Sequence, residues 1–264
     1  MSTTLQSRQS PDRQDFKVLG VRVDAIQIPG AVERLEDWIG RRERCHYVAV
    51  TGMHGVMEAL HDSSFHAILN SADMVVPDGM PLVWLARLAG HNLARRVYGP
   101  EFMMAFCETT EGRGYRHFFY GGKPGVAEKL ASTLTSRFPR IQVAGICVPP
   151  FRPLTPEEDD AVVNQIERAA PDVLWVGLST PKQERWMNSH RDRLKVPVLV
   201  GVGAAFDIHA GEVRQAPHWM REHGLEWLFR LCSEPRRLWR RYIVYGSEFL
   251  FWVALEQLGL RKFE

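Results

Sequence analysis

The chain has 264 residues, of which 45% are hydrophobic and 24% charged, and its net charge is +2. A core of this size needs no disulfide staples. The four cysteines are far apart and form no CxxC pair, which argues against a disulfide framework or zinc cluster and fits a reducing cytosol. No apolar run reaches about 18 residues, so the sequence predicts no membrane-spanning helix.

The chain begins with a polar segment. Residues 1–16 lack the apolar stretch of a secretory signal, and we interpret them as a disordered leader.

Apolar runs then alternate with helical patterns over residues 17–212. The predicted strands are VLGVRVDA, HYVAV, DMVV, RHFFYG, IQVAGICV, DVLWVGL and VPVLVGVG. The predicted helices between them include AVERLEDWIGR, HGVMEALHD, MPLVWLARLAG, PEFMMAFCETTE, GVAEKLASTLTSRF, PEEDDAVVNQIERAA and KQERWMNSHRDRL. Strands such as VLVGVG are apolar on both faces, as in a parallel sheet covered by helices. The pattern predicts a Rossmann-like α/β core with a mostly parallel sheet.

No further strand follows Gly203, and residues 213–264 are predicted to form an all-helical appendage. Leucines and tyrosines recur there at roughly helical spacing, with tryptophans and a cluster of arginines between them. This composition favours a peripheral contact with a membrane surface. A groove for an anionic substrate and a simple helical cap on the core are the alternatives. The apolar content argues against nucleic-acid binding.

Polar and glycine-rich loops follow the predicted strands. In open α/β sheets the loops at the carboxyl ends of the strands hold the chemistry. The loops here begin at Thr51, Pro77, Gly121, Ser179 and Gly203. If the sheet is parallel, all five lie at one edge.

The loop Gly121-Gly122-Lys123-Pro124-Gly125 opens a predicted helix. Glycines let the backbone approach a ligand, and free N–H groups at a helix start bind anions. A nucleotide diphosphate would suit this loop, although a tight strand-to-helix turn also requires glycine. It matches neither common nucleotide-binding fingerprint.

Asp78 stands between a predicted strand and a predicted helix. It could be a helix cap or a general base held at a rigid strand end. Arg96 could clamp a phosphate or be a solvated surface arginine. Gln183 could be an ordinary first-turn residue, and His54 has no partner at metal-ligand spacing.

Together these segments resemble a known family. The stretches similar to the WecG/TagA/CpsF glycosyltransferases, glycosyltransferase family 26, are PDGMPLVWLARLAG, RVYGPEFM, FFYGGKPGVAEKLA, DVLWVGLSTPKQERWM and VGVGAAFDIHAGEVRQAPHWMREHGLEWLFRLCSEPRRLWRRY. The resemblance runs from about Val18 to Tyr245.

The resemblance implies an inverting, metal-independent glycosyltransferase that needs no cofactor. Its donor would be a UDP-sugar and its acceptor a polyprenyl-diphosphate-linked saccharide. The enzyme would be cytoplasmic and peripheral at the inner face of the bacterial membrane, in cell-surface or exopolysaccharide synthesis. The sequence does not settle whether it forms a homo-oligomer.

The resemblance also implies site residues. Asp78 matches the family's catalytic carboxylate. The substrate-binding candidates, from the family match or from the loop positions above, are Thr51, His54, Arg96, Gly121, Gly122, Gly125, Gln183, Asp207, Arg230, Arg237 and Arg240. The chain departs from the family's T-x-N pattern at Thr51-Gly52-Met53-His54, and it has Glu101 where an aspartate is usual.

The chemistry is consistent with this set. A diphosphate leaving group needs its developing charge stabilised, and a helix N-terminus and arginines can do so. An acceptor hydroxyl needs one base, for which Asp78 is the first candidate and Asp207 the second. The alternatives are a nucleotide-dependent oxidoreductase, whose dinucleotide fingerprint is absent, and a non-catalytic membrane scaffold that binds a sugar nucleotide.

Overall fold

The computed structural model describes residues 14–263. Its strands are β1 (Asp15–Val18), β2 (Val21–Asp24), β3 (His46–Thr51), β4 (Met74–Pro77), β5 (Arg116–Gly121), β6 (Gln142–Cys147), β7 (Val173–Gly177) and β8 (Val198–Gly201). Its helices are α1 (Ile28–Arg41), α2 (Met53–His61), α3 (Ser63–Asn70), α4 (Met80–Leu88), α5 (Gly99–Thr110), α6 (Val126–Arg137), α7 (Pro156–Ala169), α8 (Lys182–His190), α9 (Ala205–His209), α10 (His218–Glu222), α11 (Glu226–Ser233), α12 (Pro235–Trp239) and α13 (Tyr245–Gln257). A π-helical turn, Arg240–Val244, joins α12 to α13.

Six of these strands form a fully parallel sheet in the order β4-β3-β8-β7-β5-β6. Because every strand runs the same way, all the carboxyl ends lie at one edge of the sheet. The predicted Rossmann-like α/β fold with a helical C-terminal segment is confirmed.

The first predicted strand, VLGVRVDA, is wrong as a single strand. β1 and β2 instead form a separate antiparallel hairpin in which Val18 pairs with Val21. The two turn residues, Leu19 and Gly20, have φ values of 49° and 80°. A two-residue turn with positive φ at both positions matches the twist of a hairpin. The predicted leader overlaps this hairpin, since Asp15 and Phe16 open β1, and residues 1–13 lie outside the described residues.

In the six-stranded sheet, side chains on the two faces enter two separate core layers. On β3, for example, Val48 and Val50 face a layer built with α1, α5, α6 and α9. Tyr47 and Ala49 of the same strand face the opposite layer, which includes residues of the hairpin, α2, α3, α4, α7 and α8.

The C-terminal helices pack on the second of these layers. Phe249 of α13 is 2% exposed within it, and Tyr245, Trp252 and Val253 pack against it. The backbone N–H of Leu19, in the hairpin turn, donates to Glu256 of α13 at 3.2 Å. The appendage predicted for residues 213–264 is therefore docked on the core. Within the described residues, no helix has the length and apolar character needed to cross a membrane.

Candidate active site

A cleft of about 1760 Å³ lies at the carboxyl edge of the sheet, between the strand-end loops and the C-terminal helices. Typical pockets for one small ligand measure about 300–1,000 Å³, so this cleft has room for two substrates. Eight predicted site residues line it: His54, Asp78, Gly122, Gln183, Asp207, Arg230, Arg237 and Arg240. The other four, Thr51, Arg96, Gly121 and Gly125, belong to the surrounding loops and strand ends.

The backbone at Asp78 is tightly held. Its N–H donates to the carbonyl of Thr51 at 2.7 Å. Its own carbonyl oxygen lies 2.3 Å from the position that a Cβ would take at Gly52. Gly79, which follows, has a φ of 148° that strongly favours glycine. Gly52 therefore allows the ends of β3 and β4 to lie in contact. Together with Gly79 it fixes the position of Asp78.

The carboxylate of Asp78 does not cap α4. The residue at the N-cap position is Gly79. Among residues 14–263, no side chain caps α4 by a hydrogen bond, and no hydrogen bond is among the influences on the Asp78 carboxylate, which lines the cleft. The cap interpretation of this aspartate therefore has no hydrogen bond to support it.

The surroundings of Asp78 change the pKa of its carboxyl. Burial raises the pKa of its carboxyl to about 6. The positive charge of Arg96 lowers this pKa and the negative charge of Glu226 raises it. Arg241 and Arg230 also lower it. A carboxylate with a pKa near 6 suits proton abstraction at neutral pH.

Thr51 and His54 flank the same strand end. Thr51 is buried at the end of β3, and its hydroxyl has no hydrogen-bond partner in the described part of the chain. Burial, with help from Arg241, lowers the pKa of His54 to about 3. The imidazole is therefore neutral, and it stacks on the ring of Tyr245 with 5.8 Å between centroids.

The loop after β5 is shaped by its glycines. Gly121, Gly122 and Gly125 have φ values of 113°, 80° and 84°. A Cβ at Gly121 would lie 2.7 Å from the carbonyl oxygen of Gly177 on the neighbouring strand. Gly125 is the N-cap of α6 and no side chain caps it, while Gly122 and Lys123 line the cleft. The start of α6 can therefore offer backbone N–H groups to an anion.

Gln183 joins two of the loops. Its side-chain carbonyl accepts from the N–H of Gly203 at 3.0 Å, and its amide nitrogen donates to Glu184 at 3.0 Å. Glu184, the next residue in the same loop, also accepts from the hydroxyl of Thr180 at 2.8 Å. Burial raises the pKa of Glu184. This buried set holds the loop after β7 against the loop after β8, where Asp207 lines the cleft from α9.

Arg96 is engaged by another side chain. Its guanidinium is paired with Glu226 of α11 and lies over the ring of Tyr98, 4.2 Å from the centroid. The hydroxyl of Tyr98 donates to the same carboxylate at 2.7 Å. Neither Tyr98 nor Glu226 was predicted, and the sequence gives no signal that pairs residues 130 positions apart.

The three predicted C-terminal arginines differ in their surroundings. The Nε of Arg230 has no hydrogen-bond partner within the described residues. Arg237 donates to Glu234 at 2.9 Å. Arg240 is exposed and leans towards the Trp239 ring, 5.9 Å from its centroid.

Arg241 also lines the cleft, although the sequence gave no reason to prefer it to Arg240. Burial lowers its pKa, as do Arg230 and Arg237, whereas Asp78 opposes the change. Both arginines lie in the π-helical turn, and Arg241, unlike Arg240, is among the charges that act on Asp78. Such turns are frequent at functional sites and are not readable from the sequence period.

No group of three or more His, Cys, Asp or Glu side chains within residues 14–263 is placed to hold a metal ion.

The sequence model of the Glycosyl transferase WecG/TagA/CpsF family matches residues 16–263. One relative is an N-acetylglucosaminyldiphosphoundecaprenol N-acetyl-beta-D-mannosaminyltransferase of Bacillus subtilis strain 168, 31% identical over 185 residues, which are 70% of each chain. A protein of the same name from Staphylococcus aureus strain MRSA252 is 26% identical over 238 residues, or 90% of this chain and 91% of the relative. The match covers the sheet, the strand-end loops and the C-terminal helices alike. The chain belongs to the WecG/TagA/CpsF family and is a glycosyltransferase.

Proposed function

We propose that this glycosyltransferase moves a sugar from a UDP-sugar to a polyprenyl-diphosphate-linked saccharide, with inversion and without a metal ion. The observation that carries the proposal is the placement of Asp78. Its carboxylate lines the cleft at a rigid strand end, its pKa is raised to about 6, and Arg230 and Arg241 of the C-terminal helices act on it electrostatically and line the same cleft. The two relatives named above act on an N-acetylglucosaminyldiphosphoundecaprenol, which supports an acceptor of this class.

The proposed reaction is a single displacement. Asp78 takes the proton of the acceptor hydroxyl while that oxygen attacks the anomeric carbon. The bond from that carbon to the diphosphate breaks, and UDP leaves on the opposite face with the negative charge. One carboxylate is sufficient for this chemistry, and inversion follows from the single attack.

The charge that develops on the leaving diphosphate needs fixed positive partners. The N–H groups at the start of α6, with Lys123 beside them, lie at one end of the cleft wall. Arg230 and Arg241 lie near Asp78, which each of them influences electrostatically. Preorganised donors of this kind stabilise charge in the transition state.

We also propose that the enzyme works at the inner face of the cytoplasmic membrane as a peripheral protein. Several large apolar side chains of the C-terminal helices are exposed: Trp219, Trp227, Leu228, Trp239, Ile243, Leu250 and Phe251. Exposed arginines, including Arg236 and Arg240, lie among them in the sequence. Aromatic and basic residues together suit the interface of an anionic bilayer.

The test is a transfer assay. A panel of UDP-sugars, beginning with a UDP-N-acetylmannosamine donor, would be offered with N-acetylglucosaminyl-diphospho-polyprenol in excess EDTA. We expect glycosylated lipid of inverted anomeric configuration, read by NMR. UDP binding without transfer to any acceptor would instead support the scaffold alternative, and activity only after magnesium or manganese is added would disprove metal independence.

A further inference from the structure

The loop between α4 and α5, with the first turn of α5, meets α10 and α11 through a strip of charged and polar contacts, which we call the docking strip. Arg95 pairs with Glu222 at 3.1 Å, and Glu101 pairs with Arg221. Between these two pairs, Arg96 and Tyr98 both donate to Glu226. The strip therefore ties the segment 95–101 to the C-terminal helices.

The central pair of this strip differs from the outer pairs in its burial. The side chains of Arg96 and Glu226 are 14% and 7% exposed, whereas those of Arg95 and Glu222 are 72% and 35% exposed. In the other outer pair Arg221 is 18% exposed but its partner Glu101 is 47% exposed, so only the central pair is enclosed on both sides. A buried ion pair adds little net stability, because the loss of hydration offsets the attraction. Its geometry is fixed, however, because both carboxylate oxygens of Glu226 are engaged and Arg96 lies against the Tyr98 ring.

The strip is also bonded to the strand end that carries Asp78. The N–H of Val97 donates to the carbonyl of Pro77 at 2.8 Å. Pro77 is the residue that directly precedes Asp78, and Val97 directly follows Arg96. The position of Arg96 relative to the Asp78 carboxylate is thus set by the backbone on one side and by Glu226 on the other.

Four charged groups act on Asp78 in this arrangement: Arg96 from the docking strip, Glu226 and Arg230 from α11, and Arg241 from the π-helical turn. Arg96 and Glu226 act with opposite signs and are paired with each other. Arg96 lowers the pKa of Asp78 and Glu226 raises it, and the docking of α11 brings the two side chains together as a pair.

We propose that Glu226 is a positioning residue for the transfer reaction, which couples the docking of α11 to the charge around Asp78 by holding Arg96 and Tyr98 against the end of β4. The proposal rests on the proposed role of Asp78 as the base. On this view Arg96 joins the C-terminal helices to the base.

The test compares Glu226→Gln, Arg96→Gln and the double variant with Glu222→Gln, which neutralises an exposed pair on the same strip. The readouts are the acidic limb of the kcat/KM profile and the titration of the Asp78 carboxyl, followed by carbon-13 NMR and assigned with Asp78→Asn. Glu226→Gln leaves the Arg96 charge uncompensated and should move both readouts about one pH unit lower. Arg96→Gln leaves the Glu226 charge uncompensated and should move both about one unit higher.

The double variant has neither charge, so the acidic limb of its kcat/KM profile should return towards the wild-type pH. This comparison keeps the test decisive if a single variant folds poorly. Glu222→Gln should leave the limb unchanged. If the single variants change only the melting temperature, the pair is purely structural and the proposal is wrong. If Asp78→Asn stays active, the base assignment fails, and the NMR titration still decides whether Glu226 controls the charge at Asp78.

Discussion

At the scale of single residues, Asp78 combines a fixed backbone with a free carboxylate. Its N–H is bonded to Thr51, and its carbonyl packs against Gly52. Among the described residues no hydrogen bond is among the influences on its side chain, which lines the cleft. A group held in this way can meet a substrate hydroxyl without first giving up a partner.

Asp78→Asn should therefore separate the two interpretations of this residue. It keeps the shape and removes the carboxylate, so we expect normal folding, near-normal UDP binding and a loss of transfer of about 10²–10⁴-fold. Enzyme kinetics and a UDP titration measure the two effects. Transfer within a few-fold of the wild type would disprove the role of Asp78 as the base.

The raised pKa of Asp78 also predicts a pH dependence. The base must be unprotonated, and burial raises the pKa of its carboxyl to about 6. We expect kcat/KM to be level above that pH and to fall about tenfold per unit below it. A profile that stays flat down to pH 4.5 would contradict this prediction.

Arg240 and Arg241 form a natural matched pair, since they are adjacent and chemically identical. Arg241 is enclosed near Asp78, Arg230 and Arg237, whereas Arg240 is exposed. Arg241→Gln should lower kcat/KM by about 10²-fold, as expected for the loss of one preorganised donor, and Arg240→Gln should lower it much less. Equal losses would show that the π-helical turn does not select between them.

At the scale of elements, the sequence predicted the parallel sheet and the loops at its edge. Buried strands such as β7 and β8 are apolar on both faces, and that pattern is independent of distant contacts. The sequence did not predict the hairpin turn at Leu19–Gly20 or the π-helical turn, because each depends on backbone angles that the spacing of apolar residues does not encode. The pairing of Arg96 with Glu226 was not predicted either, because it depends on the docking of α11.

The loop before α6 offers an element-scale prediction with an internal control. Gly125 and Gly90 have φ values of 84° and 90°, and neither has an atom within 4 Å of an added Cβ. Alanine at either position should cost about 1 kcal/mol in backbone strain. Only Gly125→Ala, at the N-cap of α6, should also weaken UDP binding, measured by calorimetry in EDTA. If the two variants bind UDP with equal affinity, the diphosphate does not bind at the start of α6.

At the scale of the whole molecule, α13 has two different environments on its two sides. Phe249 is 2% exposed and belongs to the core layer that covers one face of the sheet. Leu250 and Phe251, the next two residues, are 69% and 56% exposed. An apolar helix that is only half covered by protein fits a molecule that rests against lipid.

Neighbouring substitutions on α13 should therefore affect different properties, one the free energy of unfolding and the other the binding to vesicles. Phe249→Ala should lower the free energy of unfolding by about 3–5 kcal/mol, because it leaves a cavity under the helix. Leu250→Ser with Phe251→Ser should leave stability nearly unchanged. It should weaken binding to anionic vesicles by roughly tenfold per residue, if each side chain contributes about 1.5 kcal/mol at the interface. Denaturant titration and vesicle co-sedimentation measure the two quantities on the same proteins. If the double serine variant sediments with vesicles as well as the wild type does, α13 is not the membrane contact, and its exposed side must be covered by something other than lipid.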